Sequence, residues 1–281
     1  MKADLHVHST YSDGSDSVEE VLNQARQQGV THLSFVDHDT VDGAQETLEL
    51  GQRAGINVIP GIEISAYDFK RNRKVHVLGY AINTSAPAIR ALCEPLLARR
   101  HAHSMWQMER IAKAGNAIDY NSVANLAHPG NTIYKQHIMA HLTDAPFSSP
   151  IYQTLYRSLF KGDGPAAGDI VYADAFDAVR AIKEDGGLAV VAHPGQLDSY
   201  DLISELVEIG LDGIERNHPD HDPTDHSKID ELARKYELFF TGGSDYHGSF
   251  GTHVMIGSQD SDLSNDDIFL QLCKRKMKEH W

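Results

Sequence analysis

The chain has 281 residues, of which 41% are hydrophobic and 23% are charged, and its formal net charge is −15. This length allows one large domain, or one domain with an insertion, to bury a core. The acidic balance disfavours binding to duplex DNA, which requires a basic face. Cys93 and Cys273 form no spaced motif, and no apolar run approaches the length of a membrane span. The sequence therefore predicts a cytoplasmic protein with no membrane partner and no disulfide framework.

Short apolar segments typical of strands alternate with amphipathic segments typical of helices. The strand candidates are 3–9, 32–38, 57–65, 74–80, 187–194, 211–217 and 238–247. The helix candidates between them are 17–29, 42–55, 174–187, 201–210 and 225–236. Ser17 and Glu20 predict a capping box, and Gly29 and Gly55 are typical of helix ends. Strand alternating with helix predicts a parallel sheet or a (β/α) barrel.

Residues 86–173 interrupt this alternation, because they contain no convincing strand. Segment 86–115 has a long helical pattern with a predicted kink at Pro95, and 132–142 and 149–160 predict short helices. The sequence therefore predicts a barrel domain in two parts, 1–99 and 171–281, with a mostly helical insertion at 100–170.

Histidine is the unusual residue of this composition, with 17 copies. In the first strand candidate, alternation places Asp4, His6 and His8 on one face, with successive same-face Cα atoms about 6.6 Å apart. Two imidazoles at that separation can converge on one ion, and imidazole favours zinc, manganese, iron or nickel over calcium and magnesium. For this motif alone, the alternative is a half-buried polar strand end.

Imidazoles and carboxylates recur at the same level of the other strand candidates. Burying such groups unpaired among apolar residues is costly, and the carboxyl ends of barrel strands form the active-site face of barrel enzymes. The sequence therefore predicts a multi-metal site, the alternative being separately satisfied polar groups in the core. The recurring residues are His38, Glu63, His76, His193, Asp245 and His247.

Taken in order, the motifs HVHSTYSDG, VDHDT, GIEIS, VHVLGY, AHPG and GSDYHG resemble the PHP (polymerase and histidinol phosphatase) family. The resemblance covers the chain except the insertion. It implies a distorted seven-stranded (β/α) barrel of the PHP type, two or three divalent metal ions and hydrolysis of phosphoesters. The metal ligands that it implies are His6, His8, Asp13, His38, Glu63, His76, His193, Asp245 and His247.

The expected charges at this site suit a phosphorylated substrate. Three divalent ions against Asp13, Glu63 and Asp245 would leave an excess of three positive charges for a phosphate dianion. Glu63 is expected to bridge two ions, because a carboxylate offers two oxygens. A water shared by two ions would lose its proton near neutral pH and attack phosphorus. Manganese is the metal expected first, with zinc and iron as alternatives.

Further residues are expected around the ligands. Asp4, Asp37 and Asp39 are expected to orient imidazole N–H groups, the alternative being helix capping or solvent exposure. Asp13, Glu63, Asp245 and His221 are the predicted catalytic residues. The predicted substrate contacts are Arg99, Tyr134, Lys135, Arg216 and His218, each with a solvated helix face or simple packing as its alternative.

The length and the insertion resemble the bacterial 3′,5′-nucleoside bisphosphate phosphatases within the family. That resemblance implies removal of the 5′-phosphate from substrates such as 3′-phosphoadenosine 5′-phosphate, with short 5′-phosphorylated RNA as a further substrate. The small size and acidic surface favour a small nucleotide over a long polymer. A histidinol-phosphate phosphatase, a polymerase-associated exonuclease and a metal-binding scaffold without turnover stay open as alternatives.

Overall fold

The structure is a computed structural model that describes residues 1–261 and 268–280. Its strands are β1 (Ala3–Val7), β2 (His32–Phe35), β3 (Asn57–Val58), β4 (Gly61–Asp68), β5 (Arg73–Tyr80), β6 (Ala173–Asp174), β7 (Leu188–Val191), β8 (Gly213–Asn217) and β9 (Phe239–Gly242). Its helices are α1 (Val18–Gln27), α2 (Ala44–Ala54), α3 (Pro87–Lys113), α4 (Tyr120–Leu126), α5 (Lys135–Leu142), α6 (Pro150–Phe160), α7 (Ala175–Glu184), α8 (Pro194–Leu197), α9 (Ile203–Val207), α10 (Pro223–Tyr236) and α11 (Ile268–His280). A short 3₁₀ helix spans Gly248–Phe250.

The strands form an α/β fold with two sheets. One sheet is parallel, in the order β1-β2-β3, and the other has the order β6-β4-β5-β7-β8-β9. The second sheet is mixed rather than parallel, because β5 runs antiparallel to both β4 and β7. Isolated parallel bridges join Val7 to Tyr246 and His38 to Glu63, so the two sheets meet beside the predicted site. The closed seven-stranded barrel itself stays a prediction.

The element boundaries follow local chemistry. The capping box of Ser17 and Glu20 begins α1 as predicted, and Gly55 ends α2 in the left-handed conformation with φ of 73°. The predicted strand 57–65 is two strands, because Pro60 has no N–H for a ladder and lies between β3 and β4. The sequence analysis missed β6, whose two residues are too few to show alternation.

Helix α3 connects two hydrophobic cores. It continues through Pro95, so the predicted domain boundary at 99/100 falls inside one helix. Its first half buries Ile89 and Leu96 in the core beneath the mixed sheet. Its second half buries Met108 and Ile111 in a separate core formed with α4, α5 and α6. Residues 262–267 and 281 of the predicted last part, 171–281, lie outside the described residues. Within the described part of the chain, no helix combines the length and apolarity that crossing a membrane requires.

Candidate metal centre and substrate cavity

The Glu63 carboxylate lies at the centre of a buried cluster of imidazoles. Alternation along β4 buries Ile62 and Ile64 on the opposite face and turns Glu63 toward the cluster. Five imidazoles come within 3.3 Å of its two oxygens, so both oxygens face ring nitrogens. These are His6 at 3.3 Å, His8 at 3.2 Å, His38 at 3.3 Å, His76 at 2.8 Å and His193 at 3.0 Å.

A second carboxylate, Asp245, follows β9 and faces two of the same imidazoles and one further histidine. Its Oδ1 lies 3.3 Å from His6 Nε2 and 3.4 Å from His8 Nε2, and its Oδ2 lies 3.3 Å from His218 Nε2. The backbone at Asp245 has φ of 51°, a left-handed conformation that a non-glycine residue adopts at a cost of about 1–3 kcal/mol. His193, which follows β7, also has a positive φ, of 22°. Strained backbone at two strand ends is typical of functional sites.

The third carboxylate, Asp13, comes from the loop after β1. Its Oδ1 lies 3.4 Å from His247 Nε2 and 3.7 Å from His8 Nδ1. Gln136, at the start of α5, donates its amide N–H to the other oxygen of Asp13 at 2.8 Å. The loop between β1 and α1 and the helical segment therefore both position this carboxylate.

The charges of the cluster are strongly coupled. Burial acts to raise the pKa of Glu63 and of Asp245, yet the surrounding imidazoles hold both pKa values well below their usual range. Burial acts to lower the pKa of His8, yet Asp245, Glu63 and Asp13 raise it to about 10. Burial lowers the pKa of His38 to about 3. The carboxylates are thus ionised at neutral pH, and their negative charge stabilises positive charge on the groups that they surround.

The donor set fits divalent metal ions. Buried ring nitrogens of His6, His8 and His193 and the Asp13 Oδ1 have no hydrogen-bond partner among the described residues. A buried polar atom without a partner is costly unless a further group satisfies it. Three groups of side chains bring their donor atoms close enough to hold an ion, and His8, His38 and Glu63 each belong to two of them. The groups are His8, Asp13, His38 and His247; His6, His8, Glu63 and Asp245; and His38, Glu63 and His76.

Glu215 is a site residue that the sequence analysis missed. It lies on β8, is fully buried, has its Oε1 3.0 Å from His6 Nδ1 and accepts the His193 backbone N–H at 2.8 Å. Burial acts to raise its pKa, but His6, together with His218 and His193, holds the pKa below the usual value. The available signal was the pattern GIERN, since Glu215 follows an apolar residue in a strand as Glu63 does. It adds one negative charge, so three divalent ions would leave an excess of two positive charges rather than three.

The three aspartates expected to orient imidazole N–H groups instead accept hydrogen bonds from backbone N–H groups, from hydroxyls and, at Asp39, from the Arg100 guanidinium. Asp4 accepts hydrogen bonds from the backbone N–H of Ser244 and Gly257 and from the Ser244 hydroxyl. Asp37 accepts from the backbone N–H and hydroxyl of Ser9 and from the Ser12 hydroxyl, and Asp39 accepts from Ser65 and Arg100. These carboxylates fix the loops that carry ligands, because short side chains at strand ends reach the nearest backbone N–H groups first.

A cavity of about 310 Å³ opens beside Asp13, His38 and His76. Three cations, Arg100, Lys74 and Lys135, also line it. Its other walls are mostly aromatic or amide side chains, contributed by α3, by α5 and α6 and by the segment before β6. They include Gln107, Tyr134, Gln136, Phe147, Tyr152, Tyr156 and Tyr172.

The three cavity cations differ in their pairing. Arg100 donates to Asp39 at 2.7 Å, and Lys74 donates to Asp169 at 2.6 Å. Lys135 has no carboxylate within 4.0 Å of Nζ among the described residues, and burial together with the neighbouring cations lowers its pKa. We therefore expect Lys135 to be the cation that is most available to an anionic substrate.

The predicted substrate contacts divide into two groups. Tyr134 and Lys135 line the cavity, and the Tyr134 hydroxyl donates to the His38 carbonyl oxygen at 2.9 Å. Arg99 and Arg216 do not: Arg99 donates to the Val171 carbonyl oxygen, and Arg216 pairs with Asp230 on the opposite face of β8 from Glu215. The physical reason is orientation, since neighbouring residues of a helix or strand point in different directions. Arg100 takes the place expected for Arg99.

The two histidines after β8 also differ from expectation. His218, predicted to contact substrate, has its Nε2 3.3 Å from the candidate ligand Asp245, although it belongs to none of the three ligand groups of the described residues. His221, predicted to be catalytic, lies outside the three ligand groups of the described residues. Its Nδ1 lies 2.8 Å from the Arg216 carbonyl oxygen and its Nε2 accepts the Gly195 N–H at 3.2 Å. The two ring nitrogens of His221 thus contact the backbone of β8 and of α8.

Comparisons with known proteins concern the family and the fold of the chain. A family model described as the PHP domain matches residues 4–193. A phosphoribosyl 1,2-cyclic phosphate 1,2-diphosphodiesterase of Eggerthella lenta is 56% identical, over 92% of this chain and 98% of the relative. A 3′,5′-nucleoside bisphosphate phosphatase of Chromobacterium violaceum is 29% identical, over 87% of this chain and 86% of the relative. Among solved structures, an amidohydrolase of Chromobacterium violaceum with bound sulfate and no metal aligns with a TM-score of 0.83 and 27% identity, over 98% of this chain and 97% of that one.

Proposed function

Since this chain belongs to the PHP domain family, we propose that it is a metal-dependent phosphoesterase that hydrolyses the 1,2-cyclic phosphate of a phosphorylated ribose. The Eggerthella lenta phosphoribosyl 1,2-cyclic phosphate 1,2-diphosphodiesterase aligns with 92% of this chain at 56% identity, which supports a shared substrate class. The 3′,5′-nucleoside bisphosphates expected from the sequence become the second candidate.

The observation that carries the proposal is that the candidate metal ligands and a group of cationic side chains line the same cavity. His38, His76 and Asp13 form one wall, and Lys135, Lys74 and Arg100 lie on others. A substrate with one phosphate ester at the imidazole–carboxylate cluster and a separate phosphate group can use both sites. A phosphorylated ribose cyclic phosphate has this distribution of charge.

The residues have distinct roles in this proposal. Divalent ions held by the three ligand groups would supply a deprotonated water near neutral pH and neutralise charge on the phosphoryl oxygens. Glu63 fixes the relative positions of five imidazoles. Glu215 orients the His6 ring by a hydrogen bond to Nδ1, the ring nitrogen that faces away from Glu63. Lys135 and Arg100 position the remote phosphate, so that the reacting phosphorus stays at the cluster. Manganese is proposed first, and the donor set also suits zinc and iron.

The second candidate, a 3′,5′-nucleoside bisphosphate phosphatase, draws on the aromatic walls of the cavity. Tyr134 and Tyr172 flank the Arg100 guanidinium, and Tyr152 and Tyr156 line the same space. Such rings can stack on a nucleobase. A ribose without a base would leave these faces unused, which makes the comparison of the two substrates informative.

We also propose the domain organisation that these roles require. The two sheets, from 1–99 and 171–281, would form the distorted PHP-type barrel that carries the ligands. Segment 100–170 would form a substrate cap, since its separate core places Tyr134, Lys135 and Gln136 over the cluster.

The test is a substrate comparison with metal-loaded protein. Phosphoribosyl 1,2-cyclic phosphate and 3′-phosphoadenosine 5′-phosphate are each incubated with protein and manganese, and products are followed by ³¹P NMR. We expect kcat/KM for the cyclic phosphate to be at least about tenfold higher. A Glu63→Gln variant controls for contaminating phosphatases. Preference for the bisphosphate would establish the second candidate instead, and no turnover of either substrate at full metal content would favour a scaffold.

A further inference from the structure

Asp169 is a carboxylate in the wall of the cation-lined cavity. It lies in segment 161–172, which connects α6 to β6, and it shares the cavity with Lys74 and Lys135. Its Oδ2 accepts a hydrogen bond from Lys74 Nζ at 2.6 Å, and its Oδ1 accepts one from the Tyr172 hydroxyl at 2.6 Å. The cavity therefore contains a negative charge of the protein's own, beside the cations that a phosphate group would use.

Both lysines act on this carboxylate. Burial acts to raise the pKa of Asp169, yet Lys135 and Lys74 hold the pKa below its usual range. Lys135 acts through its charge alone, because its Nζ lies more than 4.0 Å from the carboxylate, whereas Lys74 also donates a hydrogen bond. Asp169 is thus ionised at neutral pH, and it neutralises part of the positive charge that the two lysines bring to the cavity.

The two carboxylates that pair with cavity cations differ in how firmly they are held. Asp39 is 1% exposed, and it accepts both the Arg100 guanidinium and a backbone N–H of β4. Asp169 lies outside the helices and strands and follows Gly168, whose φ of 128° is in the region that favours glycine. The side chains of Lys74 and Asp169 are 41% and 36% exposed, and ion pairs at such exposure are weak. Asp169 is therefore the carboxylate that can leave its cation.

A phosphate monoester has two advantages over a carboxylate for the same cations. Its charge at neutral pH is about −1.5 to −2, and it offers three strong acceptor oxygens. One phosphate group can therefore pair with Lys74 and Lys135 together. An uncharged group has neither advantage and would leave Lys74 paired with Asp169.

We propose that Asp169 competes with the remote phosphate of the substrate for Lys74 and Lys135, and so makes the cavity selective for a phosphate dianion. This inference rests on the proposed function, in which the substrate has such a remote phosphate. Binding of that phosphate breaks the ion pair between Lys74 and Asp169, and Asp169 turns toward solvent. The need to break this pair lowers the affinity for every anion, so weakly bound anions are excluded and a dianion is retained.

Three variants isolate this competition. Asp169→Asn removes the negative charge and keeps an oxygen that can accept from Lys74. Asp163→Asn is the matched control, because Asp163 is an exposed carboxylate of the same segment and lies outside the described cavity wall. Lys74→Met identifies the remote anion site, since it removes a cation and no candidate metal ligand. Thermal unfolding and metal content check that each variant folds and binds metal as the wild type does.

The first measurement is calorimetry of inorganic phosphate binding to manganese-loaded protein, in which the remote site is the one that Lys74→Met weakens. An exposed ion pair changes a binding constant by up to about fivefold, so Asp169→Asn should tighten phosphate binding there by about three- to fivefold, and Asp163→Asn should change it by less than about 1.5-fold. A crystal structure with phosphate should show the anion on Lys74 and Lys135, with Asp169 turned away. Unchanged or weaker binding in Asp169→Asn, or a bound phosphate that leaves the ion pair of Lys74 and Asp169 intact, would overturn the inference.

The second measurement separates competition from a role in positioning Lys74. If Asp169 only positioned Lys74, its loss would raise KM for phosphoribosyl 1,2-cyclic phosphate. We expect the ratio of this KM to the KM for 4-nitrophenyl phosphate, which has no remote phosphate, to fall by about three- to fivefold in Asp169→Asn. A rise of the ratio would overturn the inference. If neither substrate is hydrolysed while Asp169→Asn still tightens phosphate binding, the proposed function fails and the competition at the cavity stands.

Discussion

Replacing Glu215 by glutamine tests whether the residues behind the ligands set the metal affinity. The wild-type carboxylate lies 3.0 Å from His6 Nδ1 and accepts the His193 backbone N–H at 2.8 Å, one group on each oxygen. His6 Nε2 faces Glu63 and Asp245, so Nδ1 is the nitrogen that donates to Glu215. A glutamine side chain has one accepting oxygen and one donating NH₂ group. Glu215→Gln therefore retains one of these two hydrogen bonds and replaces the other by an unfavourable contact between two N–H donors.

The magnitude follows from the lost contact. A hydrogen bond to a charged acceptor contributes about 1.5–3 kcal/mol, and loss of a group that orients a metal ligand weakens metal binding by about 10- to 100-fold, or ~1.4–2.8 kcal/mol. We therefore expect metal affinity in Glu215→Gln to fall by about 10- to 100-fold. At saturating metal, part of the activity should return, because every candidate ligand is still present.

The assay is a metal titration of chelator-treated protein, with bound metal measured by mass spectrometry and activity measured in parallel. Asp230→Asn is the matched control, because Asp230 pairs with Arg216, the neighbour of Glu215 on the other face of β8. That pair is 30% and 37% exposed and contributes at most about 1 kcal/mol. Unchanged metal affinity in Glu215→Gln, or an equal loss in Asp230→Asn, would refute the assignment of Glu215.

Three further changes test other parts of the site. Lys135→Met should raise KM for phosphorylated ribose substrates by about tenfold and leave KM for 4-nitrophenyl phosphate unchanged, because that substrate has no second phosphate. Burial lowers the pKa of His137 to about 4, below its unfolded value of about 6.5, so protons bind the unfolded chain first as pH falls. The contribution of His137 to the free energy of unfolding should therefore drop by about 2 kcal/mol between pH 7 and pH 5. His137→Gln should remove this drop while still accepting the Tyr134 N–H, which lies 3.0 Å from His137 Nδ1. Gly130→Ala would place a Cβ 2.0 Å from the Tyr11 carbonyl oxygen, and we expect a loss of about 1–3 kcal/mol in chemical denaturation.

Each of these changes has a result that contradicts it. For Lys135→Met, an equal rise of KM for both substrates would contradict a contact between Lys135 and the second phosphate. For His137→Gln, the same fall in unfolding free energy as the wild type would show that another group titrates. For Gly130→Ala, wild-type stability would show that the backbone at Tyr11 can move away from the added Cβ at little energetic cost.

Strand alternation explains how much of the site the sequence predicts. His6, Glu63 and His76 were identified because each is a polar residue on a strand whose neighbours face the other way. The same rule applied to β8 identifies Glu215 and excludes Arg216, whose positive charge alone makes it a candidate for a phosphate contact. Strand alternation is therefore sufficient to identify the buried carboxylate of β8 as well as the polar residues of β1, β4 and β5.

The cavity was harder to predict, because it depends on how helices pack. Arg99 and Arg100 are adjacent, and only the direction of α3 decides which one faces the cluster. Lys135 and Gln136 reach the site only because the core around Met108 and Ile111 sets the position of α5. Sequence separation from the ligands gives no measure of that packing, whereas the ligands themselves follow from strand order.

The sequence predicts seven strands, whereas the described residues form nine, and the reason again lies in how elements pair. Pro60 divides one predicted strand into β3 and β4, and β6 is too short to show a period. The antiparallel direction of β5 is also absent from local pattern, because direction depends on which strand it pairs with. The α/β class was nevertheless predictable, because it requires only the alternation of elements.

The central claim is that the imidazoles and carboxylates around Glu63 hold the metal ions on which phosphoester hydrolysis depends. The most direct test is a crystal structure of active protein grown with manganese, with anomalous scattering recorded at the manganese edge. The account predicts anomalous peaks among Glu63, Asp245, Asp13 and the imidazoles that face them. Fully active crystals with no peak there, or with manganese bound only at other sites, would contradict it.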